Sequence, residues 1–184
     1  MAIGFYGVVA LFAFGYALFS QNLYQFLGDQ APTGAALLGG LAFGAVIVGV
    51  TRLGLKVWSV MDDAARSFAL LLGPMRRREA IYIALASGIA EELLFRGALW
   101  THLGFLGTTL LFGLVHIVPK RALWAYPVYA TACGALLGLL RHATGSVLPC
   151  ILAHVLVNGI HLVYLADRHE AYAREEAARS ALQP

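Results

Sequence analysis

Residues 88–100 read GIAEELLFRGALW, placing Glu91, Glu92 and Arg96 inside an otherwise apolar run. What surrounds them decides their meaning. Of the 184 residues, 60% are apolar and only 12% charged, and the mean hydropathy is +0.74, well outside the balance of a soluble domain. Windows of about 20 mostly apolar residues, the length that crosses a bilayer, fall near 3–20, 34–51, 79–101, 104–119, 122–141 and 146–166. The sequence therefore predicts an all-α polytopic membrane bundle of about six transmembrane helices, with the charges inside the third.

Outward from that run the chain divides into three stretches. Residues 1–78 carry two apolar windows and a basic connection, 79–166 form a four-helix core, and 167–184 form a charged tail. The first window lacks a basic leader and a small-residue cleavage site, so it reads as a helix rather than a secretory signal. In the connection, Trp58, Met61, Ala65, Phe68 and Leu72 recur at helical spacing while Asp62, Asp63 and Arg66 fall elsewhere on the wheel. That pattern predicts an interfacial helix in the headgroup plane, ended by Gly73-Pro74. The tail mixes charge signs and reads as a solvated, partly helical end.

Basic residues mark the cytoplasmic side of a membrane protein. Arg52, Lys56, Arg66, Arg76, Arg77, Arg78, Lys120, Arg121, Arg168, Arg174 and Arg179 fall on one set of loops and ends, and the alternate loops contribute only Arg141. Both termini are thus expected in the cytoplasm, with the protein integral to the plasma (inner) membrane. The implied partner is the lipid bilayer, with the basic run as its headgroup anchor, and not nucleic acid. Cys133 and Cys150 lie inside apolar windows and read as small fillers.

A charge at the bilayer centre costs roughly 2.5 to 3.5 kcal/mol on insertion scales, so Glu91, Glu92 and Arg96 must face protein or water. At about 100° per residue, Glu92 and Arg96 share an azimuth and form an i, i+4 pair, whereas Glu91 points away and stays free. Such a pair alone is a common way to hide charge; the second glutamate is what asks for a function. Further along, FGLVH sets Phe112 and His116 on one face and HVLVN sets His154 and Asn158 on another. Counting rise per residue brings Glu91, His154 and Asn158 to similar depth, with His116 nearer the cytoplasm. His102, His142, His161 and His169 read as bland.

In order, EELLFR, FGLVH and HVLVN resemble the three-part signature E-E-x-x-x-R, F-x-x-x-H and H-x-x-x-N of the CPBP family, the type II CAAX prenyl endopeptidases and related bacteriocin-processing and self-immunity proteins. The resemblance covers about residues 79–166 and implies an intramembrane endopeptidase with a hydrated cavity open to the cytosol. It implies Glu91 as the catalytic glutamate, Glu92 and Arg96 as a supporting pair, His116 as a partner in activating water, and His154 with Asn158 as stabilisers of the oxyanion. The implied substrate is a protein or peptide, prenylated or membrane-anchored.

That residue set suits amide hydrolysis, which needs a base for water and donors for the charge on the carbonyl oxygen. No cofactor is expected, although Glu91, His116 and His154 could instead ligate Zn²⁺ with a water in the open position; the spacing H-E-x-x-H is absent. Two other readings use the same residues: a proton-coupled transporter, against which stands the lack of repeated halves, and a noncatalytic immunity or binding protein in which the signature is a packing network.

Overall fold

The computed structural model describes residues 2–19, 26–28 and 31–181. Among the described residues, seven α-helices follow in order: α1 (Ala2–Phe19), α2 (Gly34–Val57), α3 (Ser59–Leu72), α4 (Arg77–Glu92), α5 (Trp100–Leu114), α6 (Ala125–Thr144) and α7 (Leu148–Ala181). A π-helical turn, Leu93–Ala98, joins α4 to α5, and a short 3₁₀ turn, Arg121–Leu123, precedes α6. The described residues contain no strand, so the chain is an all-α membrane bundle.

By length and composition, Gly34–Val57, Arg121–Thr144 and Leu148–Ala181 can each cross a membrane, while Gly4–Phe19 is apolar but shorter. The windows at 79–101 and 104–119 lie on shorter helices. α4 carries the charges and gives way to the π turn, and the next helix bends at Gly104, whose φ of 60° suits only glycine. α5 also stops at Leu114 rather than running on to 119. Large apolar side chains such as Phe5, Leu11, Val50, Leu110 and Leu139 are exposed, as a surface facing lipid requires.

The longest helix, α7, is the spine of the bundle, packing most extensively on α4 and α2. Glycines make this approach possible. A Cβ at Gly44 would sit 2.9 Å from the Ala153 carbonyl oxygen, and one at Gly88 would sit 3.0 Å from the Val155 backbone nitrogen. Small residues at such crossings let backbones meet closely where lipid offers no hydrophobic drive. Gly88 lies three residues before Glu91, and Val155 follows His154, so this close α4–α7 approach is also where the polar residues face each other.

The amphipathic stretch after α2 is the helix α3, ending at Gly73 with φ 75°, and its apolar face packs inside the protein. Met61, Ala65, Phe68 and Leu72 turn toward the bundle and line its cavity. Arg66 is buried rather than solvated, ion-paired with Asp62 at 3.7 Å and with Glu175. Its guanidinium stands over the ring of Tyr172, 4.9 Å from the centroid. α3 thus roofs the protein's own interior.

The tail is likewise built in. α7 runs through 34 residues, about 51 Å at 1.5 Å per residue, well beyond a hydrocarbon core of about 30 Å. The excess folds against α3: Tyr172 is fully buried against Ala69 and Leu165, its hydroxyl donates to Asp62 at 3.3 Å, and Arg77 pairs with Asp167 at 2.8 Å. Arg141, expected in a loop, sits in the last turn of α6 and is buried, its Nε donating to the Arg96 carbonyl at 3.3 Å.

Candidate active site

A cavity of about 290 Å³ opens between α2, α3, α4, α6 and α7. Most of its wall is apolar, and Glu91, His116, His154 and Asn158 all line it, together with Ser87 and Phe112. The residues singled out by spacing on three separate helical segments are therefore neighbours in space.

Glu92 and Arg96 carry the structural charge. Arg96 Nη1 donates to Glu92 Oε1 at 2.9 Å with both side chains 0% exposed, and Nη2 donates to the Gly134 carbonyl at 2.6 Å. The π turn from Leu93 to Ala98 holds Arg96; its wide hydrogen bond runs from Leu99 N–H to the Leu94 carbonyl at 2.8 Å. Such turns distort a regular helix and often sit beside functional groups. The same Glu92 Oε1 accepts from His154 Nδ1 at 2.7 Å. That bond places the Nδ1 proton toward Glu92 and leaves Nε2 to face the cavity.

His116 reaches an equivalent state by a different route. It lies just past the C-cap of α5, Val115, and so is not on the helix with Phe112 as its spacing suggests. Its Nδ1 donates to the Phe112 carbonyl at 2.6 Å, one of the orphan acceptors at a helix C-terminus, and its Nε2 points inward. The Phe112 ring stacks on His116 at 4.6 Å and meets Phe95 edge-on at 5.0 Å. The Arg96 guanidinium lies 4.7 Å from its centroid, so Phe112 braces the imidazole and the ion pair together.

Between the two imidazoles stands Glu91. Its Oε2 is 3.7 Å from His116 Nε2 and 4.0 Å from His154 Nε2, and that oxygen is buried without a hydrogen-bond partner among the described residues. Glu92 Oε2 and Arg96 Nε share that condition, but neither stands between two imidazole Nε2 atoms. Distances of 3.7 and 4.0 Å are too long for direct hydrogen bonds and suit a bridging water. They also slightly exceed the roughly 3.3 Å between ligand atoms of a tetrahedral zinc at bond lengths of about 2.0–2.1 Å. Asn158, one turn along α7 from His154, donates Nδ2 to Ser87 Oγ at 3.0 Å, and Ser87 in turn donates to the Ala84 carbonyl at 3.3 Å. The carboxamide is thereby oriented with a second N–H free.

Sequence reasoning missed several contributors. Ser87 is one turn before Glu91 on the same helix, and a hydroxyl at that spacing is the signal that could have found it. Tyr6 of α1 reaches the Glu91 carboxylate, and Tyr126 of α6 lies 5.5 Å from the His116 ring; nothing in their local sequence marks either. His161, read as bland, lines the same cavity. His102 and His169 bond to Tyr16 and to the Ala69 carbonyl respectively.

Comparison with known proteins bears on this arrangement. The chain is 28% identical over 106 residues to a Bacillus subtilis protein called uncharacterized protein YpbD, a match covering 54% of this chain and 56% of that one; the chain thus spans only about half the length of that relative. No solved structure matches. Residues 76–160, the stretch that holds Glu91, Glu92, Arg96, His116, His154 and Asn158, match the family model of the type II CAAX prenyl endopeptidase Rce1-like proteins.

Proposed function

We propose that the protein is an intramembrane endopeptidase that hydrolyses a peptide bond with a water held between Glu91 and the two imidazoles. Glu91 Oε2 takes a proton from that water, and the resulting hydroxide attacks the substrate carbonyl carbon. The free N–H of Asn158, with a proton carried on His154 Nε2, donates to the oxyanion that forms. When the C–N bond breaks, the amine leaves with a proton supplied from Glu91 through His116. Glu92 and Arg96 touch no reacting atom in this scheme; they fix the proton on His154 Nδ1 and are positioning residues.

The observation that carries this reading is the buried, unpartnered Glu91 Oε2 set 3.7 and 4.0 Å from the Nε2 atoms of two imidazoles. Burying a carboxylate oxygen without a partner is costly, and a water there would donate to Glu91 Oε2 and His116 Nε2 and accept from the proton on His154 Nε2. A protein or peptide anchored in the bilayer, prenylated ones included, is the substrate class that an apolar cavity beneath the amphipathic α3 favours. The distribution of basic residues supports a cytosolic location for both termini.

The decisive measurement is cleavage of a prenylated C-terminal peptide by the purified protein in proteoliposomes, with Glu91→Gln and His154→Ala beside the wild type. Cleavage lost in both variants and unaffected by chelators supports the reading. The three donors could alternatively draw in to hold Zn²⁺, which would supply a polarised water; cleavage lost to a chelator and restored by zinc selects that version. Proton flux without cleavage of any peptide offered would reject a protease altogether.

A further inference from the structure

The helix that roofs the cavity, α3, is set off from its neighbours at both ends. Trp58, extended at φ −122° and ψ 112°, separates it from α2, and Gly73, at φ 75° and ψ −177°, ends it before Pro74. The Gly73 conformation is open in practice only to glycine, and nothing stands within 4 Å of where a Cβ would be. That joint has both the freedom and the room to turn. A 14-residue helix held between two such joints can move as one piece, since hinges are a few element-terminal residues that absorb the change in φ and ψ.

Its two faces are held unequally. Inward, Met61, Ala65, Phe68 and Leu72 front the cavity, where empty space stands in for packed neighbours and their dispersion contacts are missing. Met61 fits against Gly54 of α2, and the Phe68 ring meets that of Tyr126 at 4.8 Å. Outward lies the end of α7. Tyr172 is fully buried against Ala69, its hydroxyl donates to Asp62 at 3.3 Å, and Arg66 reaches across to Glu175. His169 Nδ1 donates to the Ala69 carbonyl at 3.1 Å, the oxygen that also accepts from the Gly73 N–H at 3.1 Å, so the joint and the α7 contact meet at one atom. Among the described residues, every hydrogen bond or ion pair that joins α3 to another helix ends on residues 169–175 of α7. That end of α7 belongs to the frame. It continues the helix that carries His154 and Asn158, and the Arg77–Asp167 pair ties it to the start of α4 at 2.8 Å.

We propose that α3 is a lid over the cavity, hinged at Trp58 and Gly73, and that His169, Tyr172 and Glu175 of α7 form the clasp that holds it shut. Opening lifts Phe68 from Tyr126, whose ring stands edge-on to His116 at 5.5 Å, so the position of the lid is felt beside the imidazole as well as at the roof. The ionic part of the clasp is open to salt, because the Glu175 side chain is 49% exposed and such charges are screened. That the opening admits a peptide rests on the protease reading above; the opening itself does not.

The chain carries its own reporters, two cysteines in different settings. Cys133 lines the cavity, whereas Cys150 is 0% exposed in the packing with Leu137 and Ala153. The full chain in phosphatidylcholine nanodiscs is treated with a charged, water-soluble methanethiosulfonate, and labelling of each thiol is followed by mass spectrometry; for a fast local opening, the rate at Cys133 follows the fraction open. Glu175→Gln should quicken labelling of Cys133 by about fivefold, the scale of a partly exposed ion pair, and Tyr172→Ala by about tenfold or more, as for loss of a buried aromatic ring. Tyr172→Phe, which keeps the ring and loses only the bond to Asp62, should fall below Tyr172→Ala. Raised salt should quicken labelling in wild type and leave Glu175→Gln unchanged. Equal rates at Cys133 in wild type and these variants overturn the proposal. Labelling of Cys150 in step with Cys133 also overturns it, because the α7 end would then prop the whole fold rather than clasp one helix. If Tyr172→Ala does not fold, Glu175→Gln and the salt comparison decide by themselves. Faster labelling in the variants, with no peptide cleaved by any of them or by wild type, would keep the lid and discard the protease reading; cleavage by wild type with equal labelling throughout would do the reverse.

Discussion

Two Arg–Glu pairs in this molecule share the same chemistry and differ in consequence. Arg96 and Glu92 lie in the bundle interior with 0% exposure on both side chains, and they share their hydrogen bonds with His154 and the Gly134 carbonyl. Arg66 and Glu175 join α3 to the end of α7, where the arginine side chain is 10% exposed and the glutamate 49%. The interior pair trades desolvation against mutual attraction in a low dielectric, so losing one partner strands a charge. The peripheral pair is partly hydrated and screened by salt, so losing one partner leaves a charge that water can take. Burial, and not the chemistry of the pair, sets which one the fold cannot do without.

Beside the interior pair stands Glu91, and its substitution should produce the largest effect. Glu91→Gln should lower peptidase kcat by about 10²–10⁴, the range of a positioned general base, while thermal unfolding in detergent stays close to wild type. A large loss of stability would instead make Glu91 part of the structural charge and erase its distinction from Glu92. Next, Arg96→Ala should cost about 3–5 kcal/mol of stability by leaving Glu92 buried and uncompensated, read as a lowered midpoint of unfolding; a change no greater than that of Arg66→Ala would remove the contrast between the pairs.

Asn158→Ala should reduce kcat by about 10²–10³ with little change in KM, as for loss of one oxyanion donor. Ser87→Ala tests the orientation of that carboxamide, and its effect should be smaller and vanish in the Asn158→Ala background, as expected for residues that act as a unit. The smallest effect belongs to the periphery. The hydrogen bond from Arg66 holds the Glu175 carboxyl below its ordinary range. Its contribution is therefore fully present above the unfolded carboxyl's pKa of about 4.3 and is lost as pH falls through the lower folded value. Wild type and Glu175→Gln should differ slightly in unfolding midpoint at neutral pH and converge in acid or at high salt; a difference that persists in acid would mean that the α3–α7 contact relies on something other than this charge.

Much of the candidate site was legible because its key relations are local. The four-residue step from Glu92 to Arg96 selects the pair and leaves Glu91 out, and the steps from Phe112 to His116 and from His154 to Asn158 name the remaining groups. Even so, His116 fell off the end of α5, where it caps a carbonyl instead of continuing the helical face. The cost of an unpaired carbonyl at a helix end is a property of where the helix stops, which periodicity locates only to within a few residues. The π turn is similarly invisible, since Leu93–Ala98 contains nothing that forbids a regular helix.

Composition and spacing by themselves determined that this chain is an all-α membrane bundle, which residues in it are too polar for lipid, and which glutamate holds the arginine. Those follow from the solvent and from geometry within one helix. Only the tertiary structure decided that α3 roofs the cavity, that the tail packs back on it through Tyr172, and that Ser87 orients Asn158. Each depends on how one helix is rotated and shifted against another. That choice is made by the close approach of backbones at Gly44 and Gly88, and the periodicity of a single segment cannot express it.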